Sequence, residues 1–212
     1  MASQSSSSLQ SKRNLHPTKE ELIQTVVVLL EGTTLDQITS EQVLAISGIS
    51  RGSLYHHFKD FSELLELAQV RRFSEYVDNA TEVLSTVIDS CNSHEELIAR
   101  IYETTQYFQA EDLAQARLER LTAISKVPNN SRMASALGKE QERLTEALAD
   151  LYKDILARGW GNPHIQPRTA SVALQALTVG RAVDDFTPNR VNQENWVDMI
   201  SMIIENILFS GD

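Results

Sequence analysis

Basic, aromatic and imidazole side chains gather in one stretch of the sequence, RGSLYHHFK, at residues 51–59. The planar guanidinium of Arg51 can donate two parallel hydrogen bonds to the acceptors on a guanine edge. The hydroxyl of Tyr55 and the imidazoles of His56 and His57 can bond to phosphate oxygens or base edges. Neighbouring histidines point apart on a helix, whereas metal-binding pairs are spaced by three or four residues. The stretch therefore favours contacts with a nucleic acid and predicts no metal site.

Patterns that indicate catalysis do not occur elsewhere in the sequence. There is no glycine-rich phosphate loop, no nucleophile elbow and no pair of cysteines at metal-binding spacing. The single cysteine, Cys91, stands three residues before His94 with no third group to orient the two, so an inert thiol is the favoured interpretation. We predict no catalytic residues, no cofactor and no metal.

Two short helices joined by a tight turn are predicted to position residues 51–59. Thr39 begins a capping-box pattern, and Gly48 stands where a left-handed backbone would end the first helix. Ser50 can cap the second helix, on which Leu54 and Phe58 fall four residues apart on one face. This order is the helix-turn-helix pattern, in which the second helix enters the major groove of DNA.

The stretch GISRGSLYHHFKDFSELL, residues 48–65, resembles the DNA-binding region of TetR-family transcriptional regulators. The family pattern is Gly, an aliphatic residue, Ser, any residue, Gly, a small residue, Leu or Ile, Tyr, any residue, His or Tyr, and Phe. The sequence fits this pattern from Gly48 to Phe58, and the resemblance covers roughly residues 18–75. It implies a homodimer that binds a near-palindromic operator on double-stranded DNA, as a repressor that responds to a small-molecule effector.

Three positions depart from the family pattern. Leu44 and Ser47 stand where family members usually carry Ala, and Leu44 implies a wider or rotated packing of the two helices. Phe61 stands where the family usually has a Lys that meets a DNA phosphate, so one charge contact is expected to be missing. These departures keep a second interpretation open, a helical small-molecule binding protein whose helix-turn-helix has weakened or lost DNA binding.

The predicted DNA contacts lie at the start of the first helix of the helix-turn-helix and along its second helix. The resemblance places His57 and Tyr55 at positions that face phosphate, although Tyr55 could also be a core aromatic residue and Arg51 a solvated surface cation. The full predicted set is Thr39, Ser40, Ser50, Arg51, Gly52, Ser53, Tyr55, His56, His57 and Lys59.

The charge balance argues for modest DNA affinity. The chain carries a net charge of −10. Residues 12–75 hold seven Lys and Arg against nine Asp and Glu, and residues 76–212 hold twelve against twenty. Affinity for DNA rests largely on cation–phosphate contacts, so folding must gather the few cations of the first segment on one face.

The sequence predicts an all-α protein of about nine helices in two parts. Residues 1–17 are predicted to form a disordered tail. Residues 18–75 are predicted to form the helix-turn-helix domain, and residues 76–212 a domain for effector binding and dimerisation. Thr18 is predicted to cap the first helix. A helix from Phe61 to about Ser90 would span roughly 45 Å and could transmit displacement between the parts. Further helices are expected at about 93–108, 111–126, 130–159, 167–186 and 193–209.

The composition also indicates where the protein works. No apolar run is long enough to span a membrane, and the first residues lack the apolar core of a secretory signal. A single cysteine precludes a disulfide within the chain. We therefore expect a cytoplasmic protein with no membrane partner.

The last two predicted helices suggest an interface with a second copy. Small residues on the first allow close approach of another helix, and the apolar surface of the second is wider than one stripe. The resemblance implies a four-helix dimer interface, whereas an ordinary buried C-terminal helix is the alternative. The predicted interface residues are Ala173, Ala176, Gly180, Trp196, Ile200, Ile203 and Ile207.

The region from about 93 to 186 is predicted to hold a small-molecule cavity, as the resemblance implies. No aromatic box is evident, since aromatic residues make up only 6% of the chain, and nothing in the sequence identifies the ligand. Each candidate could equally be plain core or surface. The predicted lining residues are Tyr102, Gln106, Phe108, Leu121, Trp160 and Arg181.

Overall fold

The computed structural model describes residues 15–209 and shows nine α-helices and no strand within that range, which confirms the predicted all-α class. The predicted tail lies mostly outside the described residues. The helices are α1 Pro17–Leu29, α2 Ser40–Ser47, α3 Arg51–His57, α4 Phe61–Ser90, α5 His94–Phe108, α6 Ala114–Lys126, α7 Ser131–Ala157, α8 Pro167–Gly180 and α9 Gln193–Ile204.

The chain divides into two compact units, Met1–Arg72 and Phe73–Asp212, called here the N-terminal and C-terminal units. The division falls inside α4, so this helix belongs to both units. The core of the N-terminal unit is mainly aliphatic and is contributed by α1, α2, α3 and the first turns of α4, with Leu22, Leu54 and Leu64 fully buried. Burial of this kind stabilises by about 25 cal/mol for each Å² removed from water.

The first helix begins two residues earlier than the predicted cap at Thr18 implies, and with a different cap. His16, and not Thr18, is the N-cap: its imidazole Nδ1 accepts a hydrogen bond from the Thr18 backbone N–H at 3.3 Å. Pro17 then occupies the first helical position, where its missing N–H costs nothing. Leu15 packs against the core of the N-terminal unit, so residues 15–17 are part of the fold and not of a tail.

The C-terminal unit is built around α7, which packs along α8. The Ser171 hydroxyl of α8 donates to the Thr145 carbonyl of α7 at 2.9 Å. A second apolar core joins the end of α4 to α5, α7 and α8, and includes Ile88, Ile101 and Ile155. None of the helices described here combines the length and the apolar character needed to cross a lipid bilayer.

Helix α8 ends earlier than the sequence predicts, whereas the helical backbone that begins with α9 extends to the predicted end at Phe209. After Gly180 the backbone tightens into a 3-10 turn at Arg181–Val183, so α8 does not reach Phe186. The Asp184 carboxylate then accepts bonds from the Thr187 hydroxyl and the Val191 N–H, each at 2.8 Å, which fixes a bend. A wider π-type turn at Glu205–Phe209 follows α9.

Candidate nucleic-acid interface

Local hydrogen bonds fix α2 and the turn that follows it. The Thr39 backbone N–H donates to the Gln42 side-chain oxygen at 2.8 Å, and the Gln42 N–H donates to the Thr39 hydroxyl at 3.3 Å, as the capping-box pattern predicts. Gly48 ends α2 with φ of +68°, a conformation that costs other residues about 1–2 kcal/mol. The Ser50 hydroxyl accepts from the Ser53 N–H at 3.2 Å and begins α3.

Helix α3 turns its apolar side inward and its polar side to solvent. Leu54 and Phe58 are 0% and 2% exposed, and they anchor the helix in the core of the N-terminal unit. Arg51, His56 and Tyr55 lie on the outer side, and Tyr55 is 49% exposed, so it is not a core aromatic residue.

All ten predicted DNA-contacting residues are at least partly exposed, so each can be reached from solvent. Those with the greatest exposure are Thr39, Ser50, Arg51, Gly52, Tyr55, His56 and Lys59, and those partly covered are Ser40, Ser53 and His57.

An ion pair that the sequence analysis missed joins the two helices. The Arg51 guanidinium donates to the Glu41 carboxylate at 2.5 Å, from the first turn of α3 to the first turn of α2. A backbone hydrogen bond to Glu41 and its bond from Arg51 lower the pKa of that carboxyl. Both side chains are largely exposed, and exposed pairs contribute little to stability, so Arg51 can exchange this partner for another acceptor.

Three imidazoles meet beside the C-terminal end of α3. The ring of His57 lies 4.6 Å from that of His16 and 5.1 Å from that of His56, measured between centroids. Partial burial lowers the pKa of His57, and the neighbouring His16, His56 and Lys19 lower it further because each disfavours a second positive charge. The presence of His16 here was not foreseen because it precedes His57 by 41 positions in the sequence. An anion bound at this point would favour protonation.

Two of the three departures from the family pattern are absorbed into the core. Phe61 and Leu44 are partly buried and pack against the apolar cluster of the N-terminal unit. The third, Ser47, accepts a hydrogen bond from the Ile49 N–H at 3.3 Å and helps to shape the turn. Phe61 therefore contributes to the apolar core of the unit and carries no charge that could contact a DNA phosphate.

A partly open cavity of about 110 Å³ lies in the C-terminal unit, but none of the six predicted ligand residues lines it. Its walls come from α4, α5, α7, α8, the end of α9 and the residues after it. Tyr102, Gln106 and Leu121 are exposed, while Trp160 lies under the guanidinium of Arg158 at 5.1 Å. The remaining two, Phe108 and Arg181, are partly and fully buried elsewhere. The six residues do not converge on this cavity. Sequence periodicity predicts which residues are buried, but not which residues pack against them.

The predicted interface residues differ in how far their own subunit covers them. Ile200 is 2% exposed within a single subunit, so it is a core residue and not available to a partner. Trp196 is partly buried, and its indole N–H donates to the Gln109 side-chain oxygen at 3.0 Å. Those that remain exposed or partly exposed are Ala173, Ala176, Gly180, Ile203 and Ile207. The structure adds large exposed apolar side chains that are not in the predicted interface set, Val172, Val183, Phe186, Met199 and Met202.

A buried ion pair at the end of α8 was also missed. Arg117 donates to both carboxylate oxygens of Asp185, at 2.7 and 2.8 Å, and both side chains are at most 5% exposed. Arg181 lies beside them, with its Nε 3.9 Å from the same carboxylate. An uncompensated charge buried here would be strongly unfavourable, so Arg117 and Asp185 must stay together. The pair therefore holds the bend after α8 in place.

The remaining candidates for chemistry are inert or isolated. Cys91 is buried, and its thiol donates to the Val87 carbonyl at 3.2 Å. Within residues 15–209 no three His, Cys, Asp or Glu side chains are grouped as metal ligands.

Comparison with solved structures identifies the fold. No protein-family model matches the sequence, and no curated protein matches it. A protein of Mesorhizobium loti MAFF303099 described as a TetR-family regulator matches with a TM-score of 0.69 at 16% identity, over 91% of this chain and 97% of that one. NemR of E.coli in its reduced form matches at 0.66 and 17%, over 92% and 100%. A transcriptional regulator of Saccharomonospora viridis in complex with choline matches at 0.66 and 16%, over 91% and 97%.

The fold and the outward face of α3 define a helix-turn-helix protein. More particularly, the chain has the fold of TetR-family transcriptional regulators, as the motif at residues 48–65 implies. The Mesorhizobium loti and Saccharomonospora viridis proteins that share this fold are described as transcriptional regulators and not as enzymes.

Proposed function

We propose that the protein is a DNA-binding transcriptional regulator, a cytoplasmic repressor that binds a near-palindromic operator as a homodimer. The observation that carries the proposal is the two-sided character of α3. Leu54 and Phe58 hold the helix against the core, so Arg51 and His56 face solvent in a fixed orientation. A helix presented in this way can enter a major groove, with Arg51 offering its donors to a guanine edge.

The homodimer is supported by apolar residues left uncovered just after α8 and on α9. Val183 and Phe186 are 70% and 71% exposed, and Met202 is 61% exposed. Small residues on α8, at Ala173 and Ala176, allow a second helix to approach closely. In a symmetric dimer the two copies of α3 would meet major grooves one turn apart, about 34–36 Å along the DNA.

The effector response is supported by the cavity beside α4. A ligand regulates only when it binds two conformations with different affinity. Leu84, Val87 and Ile88 of α4 form part of the cavity wall, and the same helix begins in the core of the N-terminal unit. An occupant would therefore bias the conformation of a helix that also supports α3.

Selection of bound fragments from the source genome tests DNA binding directly. The protein should enrich a short near-palindromic sequence, and its affinity should fall steeply as salt rises. Arg51→Ala should cost about 1–3 kcal/mol at one base pair and relax sequence preference there, whereas Lys59→Ala should weaken all sequences alike. Lys139→Ala, at an exposed site on α7, is the matched control and should change neither property. An Arg51→Ala profile identical to that of the unmodified protein would remove Arg51 from base recognition.

Sedimentation analysis tests the dimer. Ala176→Arg introduces a charge on the uncovered face of α8, and Ala99→Arg introduces the same charge on an exposed site of α5. The first variant should sediment as a monomer at micromolar concentration and bind the operator weakly. The second should behave as the unmodified protein. A stable dimer in Ala176→Arg would place the interface elsewhere.

One observation favours the second candidate, a helical binding protein without DNA recognition. The best base-reading residue, Arg51, is held by Glu41, and Phe61 supplies no charge. Glu41→Gln separates the candidates, because releasing Arg51 and removing an anion should strengthen binding to any DNA if the surface meets DNA at all. Absence of salt-dependent DNA binding in both proteins would favour the second candidate.

A further inference from the structure

The cavity of the C-terminal unit has walls that are almost entirely apolar. Its volume is about 110 Å³. Val87 of α4, Ile101 of α5 and Leu148 of α7 are typical of its lining, and Phe209 covers it from the turn after α9. Transfer of an uncharged apolar molecule from water to such a surface is favourable. Transfer of a charged molecule is unfavourable, because the surface offers no group to compensate the charge.

The polar groups in the wall are already engaged or are neutral. The Tyr152 hydroxyl donates to the Leu208 carbonyl at 2.8 Å, which ties α7 to the turn that covers the cavity. The Thr104 hydroxyl donates to the Arg100 carbonyl one turn earlier at 2.8 Å. Thr105 adds one further hydroxyl and no charge. The protons of two of these hydroxyls are therefore already donated, their oxygens can still accept, and none of the three carries a charge.

The only cation of the lining set, Arg100, lies where the cavity meets solvent. Its side chain is 53% exposed, and its guanidinium donates to Glu103 at 2.9 Å. A solvated cation that already has a carboxylate partner adds little attraction for an anionic ligand. The inner wall, in contrast, is formed by side chains such as Ile155 and Leu148, which are 4% and 8% exposed.

We infer that this partly open cavity binds a small uncharged apolar molecule, with a single benzene ring in the enclosed part and at most a short substituent towards the opening. The inference rests on the proposed function, since it names the class of effector for the same regulator. An apolar protein cavity of about 150 Å³ stays dry and binds benzene or xenon, and the present cavity is somewhat smaller. Molecules with a carboxylate or an ammonium group are excluded, because burying either one here leaves it without a counter-charge.

Calorimetry with three probes of one shape tests the class of ligand. Toluene, benzoate and benzylammonium are titrated into the full chain, and methyl resonances of Ile101 and Leu148 are followed by NMR. Toluene should bind saturably and shift both resonances, and neither charged probe should do so. Benzoate or benzylammonium binding as tightly as toluene would overturn the inference, as would toluene failing to bind up to its solubility limit.

A pair of leucine substitutions tests the site. Leu151 is a half-buried residue of the lining, and Leu118 is a half-buried residue of α6 outside it. Leu151→Phe should fill the cavity and weaken toluene binding by at least about tenfold, the effect of one or more methylene groups in an apolar pocket. Leu118→Phe should leave the affinity unchanged. Equal affinities in both variants would place the binding elsewhere.

A variant with a larger cavity gives a second test of the same site, which does not depend on a substitution that fills the cavity. Leu148→Ala removes a side chain from the wall, so naphthalene, which is too large for the unmodified cavity, should bind to the variant. Failure of naphthalene to bind a folded Leu148→Ala variant would contradict the assigned site. Operator binding, measured without any probe, is the separate test of the proposed function. If the unmodified protein binds no operator, that function is overturned, but the inference about the class of ligand is unaffected.

Discussion

The two units organise their polar side chains in opposite ways. In the N-terminal unit the groups that shape α2 and α3 are neighbours in sequence, such as Thr39 with Gln42 and Ser50 with Ser53. In the C-terminal unit the decisive contacts join distant residues: Arg117 and Asp185 are 68 positions apart, and Gln109 and Trp196 are 87 apart. The donors of α3 are therefore exposed on a locally specified helix, whereas the donors of Arg117 and Trp196 are buried or partly buried and join distant segments of the C-terminal unit.

Removing the buried ion pair should produce the largest loss of stability and sharpen this contrast. Arg117→Ala leaves the Asp185 carboxylate buried, and we expect a loss of about 3 kcal/mol in the free energy of unfolding. The loss lies at the low end of the usual range because Arg181 stays beside the carboxylate. Urea denaturation measures it. Arg168→Ala, which breaks an exposed pair with Glu142, is the control and should have little effect.

The two glycines of the helix-turn-helix should respond to alanine with opposite signs. Gly48→Ala should destabilise by about 1–2 kcal/mol, since its φ of +68° places a Cβ in the left-handed region. Gly52→Ala should stabilise α3 by up to about 1 kcal/mol, since its nearest neighbour would be the Ser50 hydroxyl at 4.0 Å.

The same pair of variants separates folding from recognition. If Gly52 lies against DNA, Gly52→Ala should bind the operator more weakly although it is more stable in thermal denaturation. Operator affinity that rises together with stability would show that the backbone at Gly52 does not approach DNA.

Removal of the capping box should have a smaller effect, confined to the N-terminal unit. Thr39→Ala deletes the acceptor of the Gln42 N–H and should cost about 1 kcal/mol in the free energy of unfolding. Ser40→Ala is the neighbouring control, because the Ser40 hydroxyl bonds only to the exposed Glu41 carboxylate among the contacts described. A cost for Ser40→Ala equal to that for Thr39→Ala would contradict a capping role specific to Thr39.

The smallest expected effect is a pH dependence from His57. Its pKa is lowered in the folded protein, so the unfolded chain takes up a proton first as pH falls below about 6.5. The contribution of this group to stability is present above that pH and is lost as pH falls through the lower folded value. His57→Gln should flatten the fall in melting temperature between about pH 7 and pH 5, and His164→Gln, at an exposed site, should not.

Much of the N-terminal unit follows from the sequence because its signals are short-range. The caps at Thr39 and Ser50 and the turn at Gly48 were all predicted from residues within three positions of one another. The outward position of Arg51 follows from the four-residue spacing of Leu54 and Phe58.

The remainder depends on contacts that no local pattern encodes. His16 caps α1 with an imidazole, which is not among the preferred capping groups, so the pattern at Thr18 misplaced the start of the helix. The break after Gly180 depends on Asp184 and on a charge pair whose members lie on different elements. Periodicity showed that Ile200 is apolar, but not that its own subunit covers it.

Both tryptophans, Trp160 and Trp196, lie in the C-terminal unit, and residues 1–72 contain none. Tryptophan fluorescence therefore reports the state of one unit alone, whereas circular dichroism sums the helices of both. A variant that melts only α2 and α3 would lower the ellipticity and leave the emission maximum in place. The chain thus carries an intrinsic optical label that follows one half of the molecule without any added dye.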